Sequence, residues 1–482
     1  MFAALGAAIV AGALVAPLMS GHDEGSHAIR GAAVVRGQLF GDPAPEAFPP
    51  EPNVFIHVDV PEAYALATPA GCFNKRRDLT PECAPELEGG RTTEPVLTYQ
   101  FRSQPAYYLV ALPTLVDPAA GGMYATRLVS GLVCAALLTS ALSSARTARR
   151  IPEHAAWSSR WAVIGVAVAV TPEVLYLSSS MNSNAVEVTA AVAAWSGLAA
   201  MAAQDPRSGR LVTRTGLAVV VLVGTRGLSP AFAALTVAAV AVTAGWSRAR
   251  AWAARRDVRL WGIAAGVTAV ASLLYIEWVR RQLPIEREGQ GLAAAVDLLP
   301  WYLRQAVGIF GSNDILLPDA VYAVWGAAVV GLLVTAIVVG RDRAAAVVAG
   351  VAVAGVALQV GAEGFSLPPI GFFWQGRYAL PVLVGAPILA GRLLADRGVR
   401  LPTWGAVVVL AGLGVAHLAA FLQGVRRFAV TLDGPNNPWT YLTDARWSPP
   451  PGPALLWTVV FAGGLVAAGW LALRPPPRAG SA

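Results

Sequence analysis

The sequence predicts an all-α polytopic membrane protein, and three observations carry that prediction. Of 482 residues, 55% are hydrophobic and 13% charged, where soluble domains carry about 25% charged residues. Mean hydropathy is +0.54. The apolar residues fall in blocks of the length, about 20 residues, that a helix needs to cross about 30 Å of hydrocarbon.

About twelve such blocks are readable, at 2–19, 122–142, 161–178, 185–203, 212–226, 229–246, 260–278, 320–339, 344–362, 377–394, 403–422 and 454–473. The first, within 1–20, lacks a basic leader and a good cleavage site, so it reads as a retained helix rather than a signal peptide. The fifth and sixth are short, with Arg226 and Gly227 between them. That pair reads either as two crossings or as one broken, re-entrant element.

Arginine sets the expected orientation. The net charge is +7, but the arginines sit in short loops: "SSARTARRIPEHAAWSSR", "QDPRSGRLVTR", "SRARAWAARRDVR", "GRDR" and "ADRGVR". This is the pattern of the positive-inside rule and not of a nucleic-acid face. With those loops in the cytoplasm, both termini, including the tail 474–482, are inside, and 21–121, 279–319, 363–376 and 423–453 face outward. The plasma membrane is the expected location, and any chemistry faces away from the cytoplasm. The domain plan is then a first helix (1–20), a large outer loop (21–121), helices two to seven (122–278), an outer loop with an amphipathic helix (279–319) and helices eight to twelve (320–473). Near-absence of lysine (Lys75 alone) beside abundant Ala, Val, Gly and Arg suggests a GC-rich bacterial source.

The first outer loop holds Cys72 and Cys83, and its length and aromatics suggest a folded cap. In an oxidising compartment the two cysteines are expected to pair, the alternative being two free thiols.

The candidate chemistry begins in "GHDEGSHAIR", residues 21–30, where the first span ends. Asp23 reads either as the N-cap of a surface helix or as a carboxylate general base at the membrane–water boundary. Glu24 and His27, three apart, share a face of that helix; with His22 they can assist the base or hold a metal. Charges inside the apolar blocks are costly and mark cavities: Arg127, Glu173, Glu187, Arg226 and Arg377 lie there, mostly toward the outer side. Several on one side suggest a polar cavity that receives an anion, and arginine's planar fork suits phosphate. Asn182 and Asn184 either cap the fourth helix or hydrogen-bond a sugar. Tyr107, Tyr108, Trp301, Tyr302, Phe372 to Trp374, Trp439 and Tyr441 form an interfacial aromatic belt, of which a few can stack on a sugar ring. No P-loop, dinucleotide fingerprint, HExxH or GxSxG pattern is present.

Four pieces, in order, carry a resemblance: "HDEGSH" after the first span, "QPAYYL" before the second, "MNSNA" before the fourth and "WQGRYALP" opening the tenth. Together they resemble the actinobacterial branch of domain-of-unknown-function family 2142. That family is similar to the GT-C glycosyltransferases, polytopic enzymes that use polyprenyl-phosphate sugars. The resemblance implies a GT-C-like fold with a large first outer loop and an essential acid there, Asp23 with Glu24 beside it. The family's usual "DEPAH" is "DEGSH" here, and Asn184 stands where relatives often show Asp. It also implies an inverting transfer, with Asp23 as base and Arg377, joined by Arg226, on the lipid phosphate. The wider substrate set is His22, His27, Arg30, Tyr107, Tyr108, Asn182, Asn184, Trp374, Gln375 and Tyr378. The implied donor is a polyprenyl-phosphate sugar such as decaprenyl-phosphate arabinose or mannose; the acceptor is an envelope polysaccharide or glycolipid. A divalent Mg or Mn on Asp23, Glu24 and His27 is an open expectation. Two other readings use the same spans: a transporter or flippase, against which stand the missing internal repeat and the one-sided charges, and a non-catalytic envelope assembly protein, for which Asp23 merely caps.

Overall fold

The computed structural model describes residues 1–49, 53–147, 155–203, 209–284, 291–365 and 374–474. The chain is a helical bundle with a small mixed cap. In order, α1 (Phe2–Val15) and α2 (Glu24–Val35) precede three cap strands, β1 (Asp42–Pro43), β2 (Ile56–Pro61) and β3 (Thr93–Thr98). Then come α3 (Ala120–Ala145), α4 (Ala155–Ala169), α5 (Pro172–Ser178), α6 (Ser183–Ala203), α7 (Gly209–Val223) and α8 (Ser229–Ala244). Next are α9 (Trp246–Ala253), α10 (Arg256–Gln282), α11 (Leu292–Asp297) and α12 (Leu299–Val307). The hairpin β4 (Ile309–Phe310) and β5 (Ile315–Leu316) leads to α13 (Asp319–Gly340) and α14 (Arg343–Phe365). The chain closes with α15 (Leu380–Leu383), α16 (Gly385–Asp396), α17 (Thr403–Val430), α18 (Pro438–Thr443) and α19 (Ala454–Leu473).

All twelve apolar blocks fold as helix, but their lengths differ from the expectation. Among the described residues eight helices are long and apolar enough to cross a membrane, or nine if the bent pair α4–α5 counts as one span. The first block is shorter than 2–19: α1 ends at Val15 after 14 residues, about 21 Å at 1.5 Å per residue. Pro17 disfavours helix at the residue before it, and the chain descends through 16–22 in buried, irregular form. The third block is broken: α4 and α5 meet at 66°, because Pro172 supplies no N–H and its ring clashes with the preceding turn.

Helix α6 is the central column. It packs against α3, α7, α8 and α16, and 94% of its apolar window is buried. By contrast α10 exposes Ile263, Val267 and Leu274, the surface expected of a lipid-facing helix. Close approach of α4 and α16 depends on two glycines. A Cβ on Gly391 would lie 2.3 Å from the Trp161 carbonyl oxygen, and one on Gly165 2.5 Å from that of Pro387; small residues serve this purpose where lipid replaces the hydrophobic driving force. Gly464 of α19 packs equally closely on Ala4 and Ala8 of α1. Arg146, at the end of α3, donates to the Arg474 carbonyl. Met1 and Arg474 therefore lie at the end of the bundle away from Asp23.

The loop 21–121 folds over the other end. Strand order is β1-β2-β3, antiparallel throughout. Ile56, Val58 and Val60, alternate residues of β2, point inward and meet Ala28, Ile29, Ala32 and Ala33 of α2. Helix α2 is thus buried beneath the cap, not laid on a membrane surface as its sequence suggested. Cys72 and Cys83 are joined in a disulfide. The buried Arg427 of α17 fastens that loop: its guanidinium donates to the carbonyls of Phe73, Leu79 and Arg76.

Candidate functional site

Asp23 stands at the N-cap position of α2 without capping it. Its backbone is left-handed, φ 55° and ψ 15°, and its side chain bonds no helix N–H. Asp tolerates this region better than most residues, at a cost of the order of 1 kcal/mol. The benefit is direction: the carboxylate leaves the helix axis and faces two partners from other elements. Oδ1 accepts from the Tyr99 hydroxyl at 2.8 Å and Oδ2 from Arg377 Nη2 at 2.8 Å. The side chain remains 24% exposed. Burial alone pushes the carboxyl up, but the Arg377 guanidinium and the Tyr99 hydrogen bond outweigh it and hold the group below the usual carboxylate range. Burial and the neighbouring carboxylate push the Tyr99 hydroxyl up, so it stays a donor.

Glu24 has a different task, which corrects its expected place in the catalytic and metal sets. Both carboxylate oxygens are taken by Arg127 at 2.6 Å, Oε1 by Nε and Oε2 by Nη2, and both side chains are fully buried. Glu24 also accepts from the backbone N–H groups of Gly21 and Met181 at 3.0 Å each. Arg127 in turn donates to the carbonyls of Ala13, Ala16 and Pro17, the orphan acceptors where α1 stops. This pair is a structural pin between α1, α2, α3 and the turn before α6.

Arg377 reaches Asp23 because of Gly376. The segment Gly376–Ala379 is a short 3-10 turn laid against α12, where a Cβ on Gly376 would lie 1.9 Å from the Tyr302 carbonyl oxygen. Its N–H donates to Gln305 Oε1 at 2.7 Å. Gln375 accepts from Arg377 and from Asn313 at 3.2 Å. Trp374 is buried, its backbone N–H on Glu363 and its indole N–H on Gln359; it anchors the segment and offers no face for stacking a sugar, contrary to expectation. Gly376→Ala is expected to push the segment off α12 and part Arg377 from Asp23 with the fold retained; a structure of the variant checks it.

Arg226, in the turn between α7 and α8, completes the group. Its guanidinium lies 4.6 Å from the Tyr378 ring centre and that of Arg377 5.0 Å, so two cations flank one ring. Arg226 is 25% exposed and its Nε is 3.6 Å from Glu187. Glu187 is occupied by the Ser229 hydroxyl at 2.6 Å and the Asn184 amide at 2.9 Å. Asn182 Oδ1 accepts from the Asn184 N–H, and its amide donates to the His22 carbonyl. Asn182 is therefore a cap and Asn184 a brace, both fully buried, which corrects their assignment to a sugar.

The remaining candidates are internal. His22 faces Glu173 at 3.0 Å, both 1% exposed. His27 Nδ1 pairs with the Tyr108 hydroxyl at 2.7 Å; burial pulls the imidazole down to about 3, so a neutral ring accepts from a phenol that burial keeps protonated. Tyr107 bonds Ser130, and neither tyrosine offers a ring face to solvent. Arg30 donates to the carbonyls of Gln38 and Leu39 and to the Tyr275 hydroxyl, binding α2 to the cap and α10 instead of a substrate. With Asp23 on Arg377, Glu24 on Arg127 and His27 on Tyr108, the three do not fit a metal ligand set, and among the described residues no three His, Cys, Asp or Glu side chains converge on one. Phe372 and Phe373, the basic residues at 148–154 and 204–208, and the tail beyond 474 lie outside the described residues.

Sequence reasoning missed Tyr99, Glu363, Gln359 and Arg427. The single hydroxyl of Tyr99 in "VLTYQ" carries no motif, Gln359 was lost in an apolar block, and Glu363 and Arg427 sit just past the ends of such blocks without a motif.

His27 makes a pH prediction. Its folded pKa lies near 3 and its unfolded value near 6.5, so between them the unfolded chain binds more protons and stability rises with pH. Acidification below about 6.5 should therefore destabilise the wild type by up to about 1.4 kcal/mol per pH unit. His27→Gln should flatten that slope; an unchanged slope would reassign the proton.

Residues 6–386 match the family described as "Predicted membrane protein (DUF2142)". The chain belongs to this family. The four motif pieces and the whole Asp23 group lie within the DUF2142 match. No curated protein matches the chain. Among solved structures, ArnT from Cupriavidus metallidurans in the apo state is similar at 16% identity and TM-score 0.48, over 98% of this chain and 75% of that one. The same protein bound to undecaprenyl phosphate is similar at 14% identity and TM-score 0.45, over 98% and 76%.

Proposed function

We propose that this DUF2142 protein is an inverting, GT-C-like glycosyltransferase. It moves a sugar from a polyprenyl-phosphate donor to an envelope glycan or glycolipid on the extracytoplasmic side of the plasma membrane. The observation that carries the reading is one partly exposed carboxylate, Asp23, held at 2.8 Å from an arginine that is itself one of two flanking Tyr378. Asp23 is ionised, as a base must be. It takes the proton of the acceptor hydroxyl while that oxygen bonds the anomeric carbon from the face opposite the phosphate. The carbon–oxygen bond to the phosphate breaks, and its electron pair leaves on the lipid phosphate. Arg377 and Arg226 receive that charge. In the arrangement seen here Arg377 rests on Asp23; an arriving phosphate competes for the guanidinium and leaves the carboxylate to the acceptor.

The test is to reconstitute the full chain in liposomes with a panel of polyprenyl-phosphate sugars, decaprenyl-phosphate arabinose and mannose first. Free polyprenyl phosphate and transferred sugar are then measured. Release that needs an acceptor and is lost with Arg377→Ala supports the reading. Movement of intact donor across the bilayer without cleavage would replace it with a flippase.

A further inference from the structure

The opposite end of the bundle carries a polar cavity that the proposed transfer reaction does not use. It has a volume of about 160 Å³ and is lined by Arg248, Arg392, Arg397, Asp396 and Thr243 over a floor that includes Val348 and Leu389. Water needs only about 10–15 Å³ of such space, so the cavity admits a group the size of a phosphate. It is remote from Asp23. Helix α6 starts beside His22 through Asn182, and its last turn, Ala199 to Ala203, walls the cavity, about 24–30 Å away at 1.5 Å per residue.

Among the described residues positive charge is in excess there and held in place. Arg392, 7% exposed, bonds Asp396 through Nε and Nη2 and the Thr147 carbonyl through Nη1. Arg397 pairs with Asp342, Arg248 donates to the Ala202 carbonyl, and Arg343 donates to the carbonyl of the lining Thr243. Among the described residues three arginines and one aspartate thus line the cavity, with Asp342 and Arg343 bonded to that lining. The surroundings are those of a bilayer boundary: α9, which carries Arg248, begins with an exposed Trp246 with Arg250 at 5.3 Å over its ring, and the apolar face of α10 follows directly. Tryptophan and arginine in that setting sit at headgroup level, and basic pockets between membrane helices take phosphate headgroups.

We propose that this cavity binds a phosphate group, supplied by the headgroup of an anionic phospholipid in the leaflet opposite the Asp23 site. The short arginine loops then do more than orient the chain; they form a lipid site. The full chain in neutral detergent is titrated with short-chain phosphatidylglycerol, phosphatidylcholine or inorganic phosphate, following the thermal unfolding midpoint. Phosphatidylglycerol should raise the midpoint saturably and phosphatidylcholine should not. Arg248→Gln with Arg397→Gln should raise the half-saturating concentration at least fivefold, and Arg397→Gln alone, at an exposed side chain, at least twofold. Asp23→Asn should respond as wild type does, which separates this site from the transfer reaction. An equal effect of phosphatidylcholine, or unchanged half-saturation in the arginine variants, overturns the site. Inorganic phosphate acting at the same concentration overturns the lipid as its source.

Discussion

Asp23→Asn should reduce sugar transfer about 10³-fold while leaving the protein folded, the middle of the range for removal of a general base. The substitution is informative because it preserves the local structure. Asparagine tolerates the left-handed backbone at φ 55° as aspartate does, and its carbonyl oxygen can still accept from Tyr99. What it loses is the negative charge facing Arg377 and the ability to take a proton. Turnover per folded molecule, on the liposome assay, decides the matter: activity within tenfold of wild type would remove Asp23 from the chemistry. The pH profile provides a second reading of the same group. Because Arg377 holds the carboxyl below the usual carboxylate range in the free protein, its ionised form persists to low pH, and an acid limb of kcat/KM assigned to Asp23 must fall below that range. The same sign holds for stability: the pair's contribution is present above the unfolded aspartate value and is lost as pH falls through the lower, folded one.

Legibility in the sequence ran from the apolar blocks inward and stopped at single torsions and distant partners. Twelve blocks gave twelve helical regions because burial and hydropathy act over whole turns, whereas the stop of α1 at Val15 and the 66° bend at Pro172 turn on individual prolines and the carbonyls they leave over. For the fifth and sixth blocks, α7 and α8, two crossings and one broken element both stood open, and the structure places a 66° bend in the third block. The cap strands were not read because two of them are six residues long and one is two, set among prolines. Asp23, Arg226 and Arg377 were visible as charges at the outer ends of spans. What distinguishes Asp23 from Glu24 was not visible. It depends on one φ angle and on Arg127, 103 residues away, and neighbours in sequence thereby acquire opposite roles. Tyr107, Tyr108 and Trp374 were misread for a related reason: a belt residue and a buried, hydrogen-bonded aromatic have the same sequence signature.

That division of roles gives the largest expected loss of stability. Arg127→Met should cost about 3–5 kcal/mol, the usual penalty for leaving one charge of a buried pair without the other. Three interactions go at once: the two-pronged contact with Glu24, the three α1 carbonyls that Arg127 serves, and the link that holds the first turn of α2 against α3. Glu24→Gln should be similarly costly, since it leaves Arg127 buried without a counter-charge. The double variant should lose less than the sum of the singles, because removing both charges also removes the desolvation that each imposed on the other. Thermal unfolding in detergent measures all three. A single variant within 1 kcal/mol of wild type would mean that the pair contributes far less than its burial demands. Activity separates the two acids as cleanly as stability does. Glu24→Gln that remains folded should retain turnover per molecule within tenfold of wild type, because Asp23 keeps its backbone torsion, Tyr99 and Arg377; a loss as deep as that of Asp23→Asn would place Glu24 in the chemistry after all.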